Sequence, residues 1–398
     1  MVHLPQELID AIVDNVANTK EWHQAQDLDT LKACALAARV FVVPCQRHLF
    51  RSYVLRPHRV TDICTRLIGS PTLASYIQDL EISIWSKALD TTIIELLASF
   101  FPLLTRLDRL VVDWCYHSPN WALCPTTLRT ALIGILSRPT LRCLGLRDCP
   151  SMPASVIRHA LASFQEVAFI HISVYEDETS PLMAKVPRGN ASLRRLLIRP
   201  ILKGPGEDTT LQTFLLGERS GGFLRGLQHL QLSLSHPGTL ERCEEIARAC
   251  STSLQHMVID FNTMQYHPIP PLPNMPAMRV LTLVCCARRL RITTPLRSIV
   301  ASLPVCMPGL EAVNLVLDSD ILDSAQPNHK NMDEALGNLP SLRKVHFTIA
   351  CSHHASRDIA DVYRKTLPLT ESVGLLSFKI CDVDGLPSRA HTMYCFSN

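Results

Sequence analysis

The residues best suited to act on another molecule are basic and amide side chains spread along the chain: Arg109, Arg147, His171, Arg195, Arg199, His229, Gln231, His256, Lys344 and His346, with Asp260 and Asn314 among them. Each stands beside an apolar residue of a short strand-like pattern. Successive side chains of a strand point to opposite faces, so if the apolar residues enter a core, these polar ones share the other face. Such a row can hold an acidic or phosphorylated segment of a target protein through hydrogen bonds from arginine. A solvent-facing strand surface is polar whatever it binds, so a specific anion site and an ordinary wet face are both compatible with the sequence.

Covalent chemistry has no comparable footing. No Gly-x-Ser-x-Gly elbow, phosphate loop, His-Glu-x-x-His helix or dinucleotide fingerprint occurs, and the expectation is a protein that is not an enzyme and carries no cofactor. The fifteen cysteines are an odd number and include no Cys-x-x-Cys pair, so the sequence shows no zinc framework. Cys34, Cys143 and Cys243 fall inside apolar patterns, as expected of reduced thiols packed in a cytosolic or nuclear protein. His353-His354 near Cys351 read as a solvated turn, and the Lys203–Gly206 and Ser220–Gly222 segments as tight turns. Arg288, Arg289, Arg291 and Arg297 form a basic cluster without the interleaved aromatics that stack on nucleic-acid bases. With a net charge of +3, 47% hydrophobic and 19% charged residues, the composition is that of a packed globular chain and favours neither a nucleic-acid nor a membrane partner. The N-terminus lacks a basic region followed by an apolar stretch. The most apolar window, Ile93 to Leu104, is interrupted by Glu95 and is too short to span a bilayer.

The elements that would position the polar row come from one returning pattern, apolar-x-x-apolar-x-apolar. It starts at Ile77, Leu107, Leu141, Phe164, Leu193, Leu227, Leu254, Met278, Leu310, Leu342 and Val373. Between these strand-like pieces lie helix-like ones: Thr91 to Phe101, Thr126 to Ser137, Ala154 to Phe164, Leu240 to Cys250, Leu296 to Leu303, Met332 to Leu339 and Ser356 to Thr366. Prolines such as Pro102, Pro139, Pro304 and Pro340 cluster where the two kinds exchange. Tyr175 to Asn190 reads as a surface loop, and the proline-rich Tyr266 to Pro276 as a stiff connection. A repeat of this kind covers its apolar face only by stacking on its neighbours. An open α/β domain with parallel strands shows the same alternation.

The first fifty-five residues differ from this body. Leu4, Leu8, Ile12 and Val16 recur every four residues with Ile9 and Val13 beside them, a helix that Pro5 is suited to open. Asp27 is placed to cap a second helix carrying Leu28, Leu31, Cys34, Ala35 and Ala38, and Pro44 to open a third through Leu49 and Phe50. A unit of about fifty residues has too little interior to bury all these side chains, so some should face a neighbour.

The ordered set Leu4-Pro5-x-Glu7-Leu8, Ile12, Asp27-Leu28-x-x-Leu31, Cys34-x-Leu36-x-x-Arg39-x-Phe41 and His48-Leu49-Phe50 resembles the F-box, in the form common in fungal proteins. It differs in a longer connector, Asn18 to Gln26, and in Phe41 where a tryptophan is usual. The body resembles the degenerate leucine-rich repeats found after F-boxes, with Cys149 an approximate match to their Asn or Cys position. The resemblance implies an α/β chain with a three-helix F-box-like module at 1–55 and an irregular solenoid at 56–398, its parallel strands on the concave side. It further implies that Leu4, Pro5, Leu8, Ile12, Leu31 and Phe41 bind the Skp-type adaptor of a cullin-RING ubiquitin ligase. The repeats would then bind a protein substrate, as a substrate adaptor or, without a ligase, as an interaction scaffold.

Overall fold

The computed structural model describes residues 4–17, 24–84, 90–114, 121–177, 193–200, 209–217, 221–234, 237–261, 272–285, 293–318, 330–351, 361, 364–365 and 367–382. The chain divides into two compact units, Met1–Cys149 and Pro150–Asn398.

The first unit opens with three helices, α1 (Gln6–Ala17), α2 (Gln24–Ala37) and α3 (Arg39–Leu49). The Pro5 carbonyl accepts from the N-H groups of Leu8 (3.1 Å) and Ile9 (3.3 Å), so proline stands just ahead of the first turn, where its missing donor is not needed. Val13 of α1, Leu31 of α2 and Cys45 of α3 form the core, with Val16, Cys34, Phe41 and Leu49 packed around it. Each such aliphatic side chain contributes about 1.5–3 kcal/mol on burial. Asp14 meets His48 at 2.7 Å and Asp10 meets Arg47 at 3.7 Å on the outside of the α1–α3 contact.

Two sequence expectations are corrected here. The second helix begins at Gln24, so Asp27 lies in its first turn instead of capping it. Pro44 does not open the third helix but sits inside it. The break falls at Ala38, whose extended backbone (φ −156°, ψ 147°) alone separates α2 from α3. An internal proline costs a helix roughly 3 kcal/mol, which burial of Pro44 and Cys45 in the bundle offsets.

The rest of the unit alternates strand and helix: β1 (Ser52–Leu55), α4 (Val60–Ile68), α5 (Pro71–Ala74), β2 (Asp79–Ser83), α6 (Thr91–Phe100), β3 (Arg109–Asp113), α7 (Thr126–Leu136) and β4 (Cys143–Arg147). The four strands are parallel, in the order β1-β2-β3-β4. α4 packs on α6, and α6 on α7. β1 was not anticipated, yet Phe50-x-x-Tyr53-x-Leu55 carries the same apolar spacing, hidden at the end of the helical segment. The boundary expected at residue 55 therefore falls inside this unit, at the end of a paired strand.

The second unit contains α8 (Ala154–Ser163), β6 (Glu166–Ile170), β8 (Arg195–Arg199), α9 (Thr210–Leu216), β9 (His229–Ser233), α10 (Pro237–Ala249), β10 (His256–Asp260), β11 (Val280–Cys285), α11 (Thr293–Cys306), β12 (Ala312–Asp318), α12 (Lys330–Gly337), β13 (Lys344–Cys351), α13 (Pro368–Ser372) and β14 (Leu376–Asp382). Its long strands are parallel, in the order β6-β8-β9-β10-β11-β12-β13-β14. Two short strands, β5 (Met152–Pro153) and β7 (Val174–Tyr175), pair separately. The start of the expected surface loop at Tyr175 is thus strand, and the Asp177 carboxylate caps α8, accepting from the Ser155 N-H at 2.9 Å and from its hydroxyl. Asp333 of α12 does the same for α13, accepting from the N-H groups of Leu369 (2.8 Å) and Thr370 (2.9 Å). α11 runs past Leu303 to Cys306 with Pro304 in its last turn.

Each expected strand is present, and all but the last begin two residues after the first apolar position of the pattern. The last differs because Val373 is 64% exposed, whereas the other first positions are buried. The residue after the first apolar position grips the following repeat with its carbonyl. Gln78 O accepts from the N-H groups of Asp108 (2.8 Å) and Arg109 (2.9 Å); Gln228 O from Gln255 and His256, both 2.9 Å; Arg279 O from Glu311 (2.8 Å) and Ala312 (3.0 Å). Arg51 O does this for Gln78 and Asp79, which places β1 in the same series. Two main-chain bonds at each of these junctions, with the strand ladder continuing from them, register one repeat on the next.

Candidate functional site

On α1 the apolar residues fall on two adjacent stripes. Ile9 and Val13 are buried, at 4% and 1% exposure. Leu4, Leu8 and Ile12, at helical spacing beside them, stay 52%, 51% and 46% exposed, and Pro5 is exposed with them. Leu28, Leu36, Val40 and Val43 of α2 and α3 are also exposed, Leu36 at 88%. Leu28 and Leu36 belong to the F-box-like set but were not among the expected adaptor contacts, because the helical spacing of α2 does not separate a wet side from a dry one. Of the six residues expected to touch an adaptor, Leu31 is corrected outright: it is a core residue, 3% exposed. Phe41 is half-buried against the same core. Water gains by withdrawal of the exposed row at about 25 cal/mol per Å².

In the first unit Arg109 and Arg147 do share the polar strand face. Arg109 lies in register with Asp79 and Cys143, and Arg147 with Asp113. Burial raises the Asp79 carboxyl above its ordinary range, against the opposing pull of Arg109 and Arg51. Arg147 reaches back to Glu81 at 3.3 Å with only 11% of its side chain exposed. The row it crosses is Val111 and Gly145, both buried although they lie on the polar face. This arginine is therefore a cover for the sheet, its stem lying over apolar surface and its head group on a carboxylate.

In the second unit the register aligns most of the polar residues on one strand face, interrupted by Val258, Val280 and Ala312. Glu166, Arg195, His229, His256, Val280, Ala312 and Lys344 stand abreast on successive strands. Gln231, Thr282, Asn314, His346 and Ser377 fall in the next row, and Arg199 and Asp260 beyond it. Neighbours satisfy one another across strands. Arg195 meets Glu166 at 3.3 Å, the His229 and His256 rings stack at 4.2 Å, Asn314 donates to the Thr282 hydroxyl at 3.1 Å, and His346 shares a 2.8 Å hydrogen bond with Ser377.

The imidazoles are held neutral. Burial, then His256 and Arg195, lower the His229 pKa to about 4; burial, Arg195 and Arg279 lower that of His256. Burial and the lysines Lys344 and Lys379 lower that of His346. At neutral pH the histidines of this face therefore act as hydrogen-bonding groups, and its positive charge comes from arginine and lysine, including Arg195, Arg199 and Lys344. One residue of the expected row is buried in place and one leaves the row. Gln231 is only 6% exposed, and His171 lies beyond the end of β6 in a left-handed turn (φ 53°), its N-H donating to Arg199 O at 2.7 Å.

The buried thiols are poor nucleophiles: burial pushes Cys64 and Cys250 up to about 12 and Cys124 to about 11. Among the described residues no group of three His, Cys, Asp or Glu is placed to hold a metal ion, and no helix is long and apolar enough to cross a membrane. His353-His354, Lys203–Gly206 and the arginines 288, 289 and 291 lie outside the described residues.

No family model matches the chain, and no curated protein matches it. Among solved structures it is similar to a chain of the "Crystal structure of Rad7 and Elc1 complex in yeast", at 11% sequence identity over 95% of this chain and 98% of that one, with a TM-score of 0.29. A score this low does not establish a shared fold.

Proposed function

We propose that the chain is the substrate-recognition subunit of a cullin-RING ubiquitin ligase of the Skp-cullin-F-box type. Its three N-terminal helices bind the Skp-type adaptor, and the polar strand faces bind a target protein. Ligation chemistry belongs to other subunits. The observation that carries this reading is the row Leu4-Leu8-Ile12, left half exposed by a bundle that buries the neighbouring stripe and matching the apolar positions of the F-box resemblance. The test is titration of purified Skp-type adaptor into the full chain by calorimetry. Saturable binding lost in Leu8→Ala/Ile12→Ala, with an unchanged melting temperature, is the expected result. A wild-type chain that binds no adaptor leaves the repeats as an interaction scaffold without a ligase role.

A further inference from the structure

The first strand of the first unit has a groove along its outer edge. It has a volume of about 940 Å³ and is walled by β1 on one side and by α4 with the turn before it on the other. That is near the upper end of small-ligand cavities, and three successive residues of β1, Ser52, Tyr53 and Val54, line it, so it suits a peptide better than a compact metabolite. Arg56, Arg59 and Arg66 line it, all exposed, with His58, against the single carboxylate of Asp62. Phe50 and Tyr53, stacked at 6.0 Å, line it with Ile63, Leu67 and Leu73.

β1 lies at the end of the strand order, paired on one side only with β2. Because Arg51 O accepts from Asp79 N, the alternation of a parallel ladder turns the main-chain groups of Tyr53 and Leu55 toward β2 and those of Ser52 and Val54 outward. Among the described residues, none hydrogen-bonds these outward groups. Val54 is 43% exposed.

We propose that this edge is a second binding site, which takes an extended acidic segment of a partner protein as an added strand. Alternating outward N-H and C=O groups match a peptide main chain, and the three guanidinium groups match carboxylates on alternate side chains. A nucleic acid would satisfy the arginines but leave the Ser52 and Val54 donors and acceptors unmatched. A second copy of this chain would bring two identical arginine clusters together, which like-charge repulsion opposes. The site adjoins the end of α3 through Leu49 and Phe50 but does not include the exposed Leu4, Leu8 and Ile12 row.

The experiment is fluorescence anisotropy of the full chain with a labelled peptide of alternating glutamate and valine. Lysine-valine and proline-interrupted peptides and a single-stranded oligonucleotide serve as comparisons. The acidic peptide should bind saturably and more weakly at high salt, and both Arg59→Ala/Arg66→Ala and Val54→Pro should weaken it by about tenfold or more. Val54 does not donate to β2, so V54P leaves the existing ladder intact; Val54→Glu, which repels the peptide, replaces it if V54P does not fold. Absence of binding, equal binding of the lysine peptide, tighter binding of the oligonucleotide, indifference to both Val54 variants, or a concentration-dependent dimer abolished by V54P would each overturn the proposal.

Discussion

The N-terminal helices and the strand face of the second unit treat their outer surfaces in opposite ways. The helices leave Leu4, Leu8 and Ile12 about half exposed, while the strand face pairs glutamate with arginine, imidazole with imidazole and asparagine with threonine. An apolar row left uncovered is a liability that a partner removes. A polar row already satisfied offers a partner less to gain, because each new hydrogen bond must replace an existing one. The contrast locates binding energy in the first region and selectivity in the second.

The largest effect separates core from contact surface within the helices. Leu31→Ala should destabilise the first unit by about 2–5 kcal/mol, measured by denaturant unfolding, because it empties the bundle's center. Leu8→Ala/Ile12→Ala should leave stability within about 0.5 kcal/mol and weaken adaptor binding by about 100-fold. If the two variants behave alike, the distinction between stripes fails. In the second unit, Asp333→Ala should cost roughly 1–3 kcal/mol, since the Leu369 and Thr370 N-H groups and the Thr370 hydroxyl lose their acceptor; thermal unfolding reads this.

A pH series tests the strand-face imidazoles next. The folded-state pKa of His229 lies below its unfolded value of about 6.5, so the unfolded chain binds more protons at acid pH. Stability attributable to this ring should be unaffected above about pH 6.5 and fall as pH drops toward 4, and His229→Gln should flatten that slope. The smallest effect is expected at Arg147→Ala, about 1 kcal/mol from uncovered apolar surface and a partly buried ion pair, seen as a small melting shift.

Much of the architecture was legible in the spacing of apolar residues, because a first position under the core and two inward strand positions are what each repeat requires. β1 escaped because Phe50 ends a helix and begins a repeat at once. Pro44 misled because proline usually marks an edge, and only tertiary burial keeps it inside α3. Alternation placed most of the polar row on one face, but not the left-handed turn that removes His171, nor the depth that buries Gln231. Leu31 shares its apolar type with Leu8, and only the third helix decides which of them faces inward.

The paired grip is made by main-chain atoms alone, and at nine junctions among the described residues Arg51, Gln78, Asp108, Gln165, Arg194, Gln228, Gln255, Arg279 and Glu311 provide its carbonyl. The joint therefore has no side-chain signature to conserve, and the array can diverge at these sites while keeping its spacing. Proline is the exception: at either donor position it would delete one strand of the grip and loosen that junction by itself.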